Sequence, residues 1–169
     1  MNYDSFVKMV TRHAARLDVD VSLCKYKNVY KPEGDKSEGY FIEPDDRDSS
    51  LLPYARKIKR KINAPAQDQR SGSTRGIIRI ATKCAKPQWI HTLAHEYCHM
   101  LQWFRDDPLY LTDPIQGLYQ LELQTELEAL ALMGKCKLPL SMSQRWKDSQ
   151  SYLKKLSKDL PINNREKEQ

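Results

Sequence analysis

Residues 95–99 read His95-Glu96-Tyr97-Cys98-His99. On a helix, His95 and His99 stand one turn apart on one face, with about 5–6 Å between their Cβ atoms. Two imidazoles at that spacing can reach a single metal ion, and zinc accepts nitrogen and oxygen donors together. Glu96 stands beside them, where a carboxylate can take a proton from a metal-polarised water. The flanking Ile90, Leu93, Ala94, Met100 and Leu101 are apolar, as the inner side of a buried helix requires. The plain alternative is a chance match that carries two satisfied buried histidines.

A catalytic zinc needs a third protein ligand, with water in the remaining position. The other histidines are His13 and His91. His13 falls at the polar boundary of an N-terminal helix and suits a solvated or capping role. His91 shares a helix side with His95, but three ligands from one straight helix fit poorly around a tetrahedral ion. It is expected behind the ligands or at the surface.

Glu122, Glu126 and Glu128 follow on a second helical stretch. Glu126 and Glu128 are roughly 200° apart around a helix and cannot both face one site. The stripe Leu123, Leu127 and Leu130 marks the expected core direction, which does not choose between them. Gln102 is expected at most to support a ligand. Tyr110, Tyr119 and Tyr152 are candidate donors to a developing oxyanion, although a core or boundary role is the commoner one for such tyrosines.

The elements that must position these residues can be read along the chain. Tyr3, Phe6, Val7, Val10, Ala14 and Leu17 recur at helical spacing and predict a helix over 2–17. Val19, Val21 and Leu23 alternate as in a strand, and Tyr40-Phe41-Ile42-Glu43 reads as its returning partner in a hairpin. A helix over 51–62 places Arg56, Lys57, Lys59, Arg60 and Lys61 opposite an apolar stripe. A solvated face is the ordinary reading, and a phosphate-tracking, nucleic-acid-binding face the sharper one. Residues 63–76 read as a polar loop. Gly76 to Thr82 is a clear strand, and Pro87 opens the helix that carries the histidines to about Phe104. Helices over 118–135 and after Ser141 or Ser143 complete the expected α+β fold.

With 169 residues, 40% hydrophobic and 30% charged, the chain can bury a core of its own. A single domain over 1–160 with a polar tail over 161–169 is expected. The formal charge of +6 is compatible with an acidic partner without specifying one. No run approaches the length of a membrane span. The first residues lack a signal-peptide layout, so the cytosol, the nucleus or the interior of a virus-infected cell is expected. Cys24, Cys84, Cys98 and Cys136 contain no C-x-x-C pair and are expected as free thiols, with Cys98 a packing residue.

His95-Glu96-x-x-His99 followed by Glu126-Leu127-Glu128-Ala129 resembles the gluzincin pattern H-E-x-x-H…E-x-E-A. It is similar to minimal zincins such as the ImmA/IrrE-type and phage-encoded peptidases, over roughly residues 76–133. Leu130 departs from the Asn or Asp that the ImmA/IrrE-type pattern prefers. The resemblance implies a zincin-like fold and one catalytic Zn2+ held by His95, His99 and Glu128. It also implies Glu96 as general base in hydrolysis of a peptide or protein substrate. By the same resemblance, strand 76–82 is the edge along which an extended substrate pairs. Two alternatives stand beside it: a zincin-fold regulatory module without general proteolysis, and a nucleic-acid-associated protease resembling SprT-type proteins in logic.

Overall fold

In the computed structural model, residues 1–31, 34–43, 75–111 and 114–159 are described. The expected basic helix over 51–62, the loop over 63–74 and the tail over 161–169 lie outside them.

The chain begins with α1 (Tyr3–Arg16), capped by the Asn2 side chain, which accepts from the Ser5 backbone N–H at 2.8 Å. Phe6, Val10 and Ala14 are fully buried at a spacing of four residues and press one stripe of α1 into the core. Next come β1 (Val19–Cys24), β2 (Val29–Tyr30), β3 (Lys36–Ser37), β4 (Gly39–Ile42) and β5 (Gly76–Ala81). Then follow α2 (Lys86–Phe104), a 3-10 turn (Pro108–Leu111), α3 (Pro114–Lys135) and α4 (Met142–Asp159). The architecture is α+β, as expected.

The three-stranded sheet has the order β1-β5-β4, with β5 parallel to β1 and antiparallel to β4. This corrects two expectations. The strands at 19–24 and 39–42 do not pair as a hairpin; each takes one side of β5. Strand 76–81 is accordingly the central strand, not an edge open to a substrate. Its composition explains the placement: Ile78 and Ile80 are fully buried, as a strand covered by neighbours and helices requires. β2 and β3 form a separate small antiparallel ladder.

β4 meets α2 at Gly39, where a Cβ would stand 2.7 Å from Thr92 Cγ2 and 2.9 Å from Ile80 Cδ1. A side chain at this position would hold the strand off the helix that carries the histidines.

α2 starts with Pro87 in its first turn, where the missing N–H costs no helical bond. It ends before Asp106, whose φ of 54° turns the chain out of the helix. α3 begins at Pro114, earlier than the expected 118, for the same reason that proline suits a helix start. Its buried stripe runs through Leu121, Thr125, Ala129 and Met133. The expected stripe was misplaced: Leu127 is 49% exposed. That rotation decides which glutamates meet α2. Among the described residues, no helix is long and apolar enough to cross a membrane.

Candidate metal centre

α2 is buried over much of its circumference, so its polar residues must find partners inside the protein. His91, Glu96, His99 and Gln102 are all buried. The Nε2 atoms of His95 and His99 stand 3.0 Å apart. Glu122 of α3 faces both, with one oxygen 3.2 Å from His95 Nε2 and the other 3.4 Å from His99 Nε2. Among the described residues, these three form the one group of donors arranged to hold a metal ion.

The distances provide a test of fit. Zinc binds imidazole nitrogen at about 2.0–2.1 Å, so neighbouring ligands on its tetrahedron lie about 3.3 Å apart. The two nitrogens stand 3.0 Å apart, each has a separate Glu122 oxygen at 3.2 or 3.4 Å, and one donor atom from each of the three residues lies within 4.8 Å of the others. The remaining ring nitrogens are turned to other acceptors. His95 Nδ1 lies 2.9 Å from Glu126 Oε1, an ion-pair distance at which its geometry makes no hydrogen bond. His99 Nδ1 lies 3.4 Å from Thr125 Oγ1, which also contacts Gln102 Oε1 at 2.9 Å. Oxygens near both Nδ1 atoms are placed to take a proton there when Nε2 turns to an ion.

The electrostatics follow from burial and proximity. Burial would lower the His95 pKa, but the carboxylates of Glu122 and Glu126 overcome it and raise it well above 6.5. Burial disfavours the Glu122 carboxylate, yet the charge of His99 and the contact with His95 hold its pKa well below 4.5. Glu126 behaves likewise: burial opposes its ionisation, and His91 and His95 lower its pKa more strongly. Glu96 differs, because burial raises its pKa more than the two histidines lower it. It is therefore a more basic carboxylate than one at the surface. Burial lifts the Cys98 thiol to about 12, which keeps it protonated and in a packing role.

The structure brings His95, Glu96 and His99 to one place, but Glu128 does not join them. Its carboxylate accepts from Arg105 Nη2 and, at 2.8 Å, from Gln124 Nε2. The separation has a helical cause. Glu122 and Glu126 are four residues apart and share a face, whereas Glu128 is displaced by roughly 200° from Glu126. Glu126 stands behind His95, not between the two histidines. The spacing Glu122-x-x-x-Glu126, matching His95-x-x-x-His99, was the available signal for this face.

His91 lies on Glu126, with Nε2 and Oε2 3.0 Å apart. His13, half-buried in the last turn of α1, meets the Tyr97 hydroxyl through Nδ1 at 2.5 Å on another side of α2. Ser149 of α4, which composition did not single out, donates to Glu126 Oε2. Tyr152 reaches the site, donating to Glu122 Oε2 at 3.0 Å; the Tyr110 side chain lies outside the described residues. Its hydroxyl is desolvated and faces the Glu122 charge, so its pKa is raised and it remains a proton donor.

A cleft of about 540 Å³ is lined by His91, His95, Glu96 and Glu126, so it meets the cluster at His95 and not at His99 or Glu122. Ser37, Gly39, Thr92, Glu96, Arg145 and Tyr152 contribute to its walls. Compared with known proteins, the chain matches no family model, no curated protein and no solved structure.

Proposed function

We propose that the protein is a zinc-dependent hydrolase of peptide bonds, with a zincin-like arrangement of its helices and sheet. The observation that carries this reading is the convergence of His95 Nε2, His99 Nε2 and the Glu122 carboxylate, with His95 and the buried Glu96 also lining a cleft. Two neutral imidazoles and one carboxylate leave a bound Zn2+ with net positive charge, and the ion then supplies Lewis acidity and lowers the pKa of a bound water to about 7.

The chain's own groups do the rest. Glu96, made more basic by burial, accepts the proton of the attacking water and delivers it to the leaving amine. Glu126 and Thr125 stand behind the two imidazoles and fix their ring orientation. Tyr152 lines the same cleft, and its one hydroxyl proton, given to Glu122 Oε2 here, would turn from it to meet the carbonyl oxygen as charge develops there. β4 has a strand partner on one side only among the described residues, and Ser37 to Gly39 line the cleft. An extended peptide adding along that edge would lie beside Glu96.

The test uses Glu96→Gln, which should retain about one zinc per chain and lose peptide cleavage. If wild type and Glu96→Gln are equally inert on a broad peptide library, hydrolysis is rejected and a metal-binding module remains.

A further inference from the structure

The geometry points to His91 and Ser149 as positioning residues that hold Glu126 against His95 and so govern how firmly the site keeps its zinc. The inference rests on the zinc reading above and extends it one layer outward, to α4.

Glu126 is 5% exposed, so its carboxylate must be satisfied by the protein. It lacks the guanidinium that Glu128 enjoys. Its Oε1 faces His95 Nδ1 at 2.9 Å. Its Oε2 is held by His91 Nε2 at 3.0 Å and by the Ser149 hydroxyl. Ser149 is 1% exposed and His91 is 8% exposed, so neither partner is readily replaced by bulk water. The Arg145 carbonyl, 3.0 Å from Ser149 Oγ, competes for the single hydroxyl proton. The charged carboxylate is the stronger acceptor.

The division of labour between the two oxygens is the central point. A carboxylate on a Glu side chain turns easily about its last torsion, because that rotation is broad and roughly two-fold. Donors on Oε2 alone can stop it. Without them, Oε2 would turn toward the open cleft, which both His91 and Glu126 line. Oε1 would then leave the buried His95 Nδ1, which has this carboxylate oxygen at ion-pair distance and makes no hydrogen bond. His95 would lose the partner that fixes its ring and tautomer. The three contacts join three helices: Glu126 on α3 meets His91 and His95 of α2 and Ser149 of α4. The C-terminal helix is thereby tied to the grip on the metal.

The experiment compares donor-losing with donor-keeping substitutions, reading zinc affinity by chelator competition and the visible spectrum of the Co2+-substituted protein. Ser149→Ala and His91→Phe remove the donor; Ser149→Thr keeps the hydroxyl, and His91→Gln keeps an N–H near the Nε2 position. Each donor-losing variant should weaken zinc binding by about 3–10-fold and the pair together by about 10–100-fold, the range for partners of metal ligands. The donor-keeping variants should stay within about twofold of wild type and retain its Co2+ spectrum. Donor-losing variants that bind zinc like wild type would overturn the inference and leave the zinc reading intact. Equal losses in donor-keeping variants would also overturn it, because packing and not hydrogen bonding would then be responsible. A wild-type protein that takes up no zinc would overturn both.

Discussion

α3 carries its glutamates on two faces, and the two faces are built on different terms. On one, Glu122 and Glu126 meet His95, His99 and His91, all buried or nearly so. On the other, Glu128 meets Arg105, whose guanidinium also binds the buried Asp107 at 2.8 Å. Arg105 is a permanent cation, 44% exposed in its side chain, and the pair ties the end of α2 to α3. An imidazole is a conditional cation, and its place as counter-charge can be taken by a metal ion. The Arg105 face therefore suits a fixed structural contact, and the histidine face suits an exchangeable one.

Exchanging carboxylate for amide on each face should break this symmetry most strongly. Glu122→Gln is expected to weaken zinc binding by on the order of 10³-fold, because a ligand is lost. Glu128→Gln should leave zinc affinity within about twofold, because its carboxylate does not contact the histidines. Isothermal titration with zinc separates the two outcomes; equal losses would erase the distinction between the faces.

The difference in how the faces titrate gives a second test, on metal-free protein. Glu122 and Glu126 have lowered pKa values. Their stabilisation is complete above the ordinary glutamate value of 4.5 and is lost as pH falls through the folded-state values. His95 has a raised pKa, so its stabilisation is complete below 6.5 and is lost as pH rises through its folded-state value. These groups together favour maximal stability of the EDTA-treated protein between pH 4.5 and 6.5. Zinc should shift that optimum upward, because it binds neutral imidazole and displaces the His95 proton. Thermal melts from pH 4 to 8, with EDTA or with zinc, report both trends. A metal-free melting temperature that climbs steadily to pH 8 would contradict the assignment of His95.

Gly39 probes the cleft side alone. Gly39→Ala forces a Cβ against Thr92, three residues before His95. A loss of about 1–3 kcal/mol is expected, as for other overpacked contacts, and urea denaturation measures it. The smallest effect belongs to the opposite face. Arg105→Ala should cost about 1 kcal/mol or less of pairing energy, diminishing in high salt, because the guanidinium is partly in water. Denaturation at two ionic strengths checks that.

Local patterns were legible in the sequence where a single helix decides the outcome. The helix carrying His95, Glu96 and His99 could be read directly, because their relation depends on one turn of α2. The N-terminal helix was legible for the same reason. The third carboxylate was not, because it depends on the rotation of α3 about its own axis. Leu123, Leu127 and Leu130 suggested one rotation, and the smaller residues Thr125 and Ala129 occupy the inner face instead. The buried stripe Leu121, Thr125, Ala129 and Met133 sets the rotation that turns Glu122 toward the imidazoles, and the two small residues in it give no strong apolar signal in the sequence. Strand order escaped the sequence in the same way. Alternation identified β1 and β4 as strands, but nothing in either states that β5, much later in the chain, lies between them.

The central claim is that the ion sits between His95, His99 and Glu122. An anomalous difference map at the zinc edge, from crystals of the zinc-loaded protein, tests it most directly. The account predicts one strong peak about 2.0–2.2 Å from His95 Nε2, His99 Nε2 and a Glu122 oxygen. A peak bound by Glu128, or no peak between the two imidazoles, would contradict it.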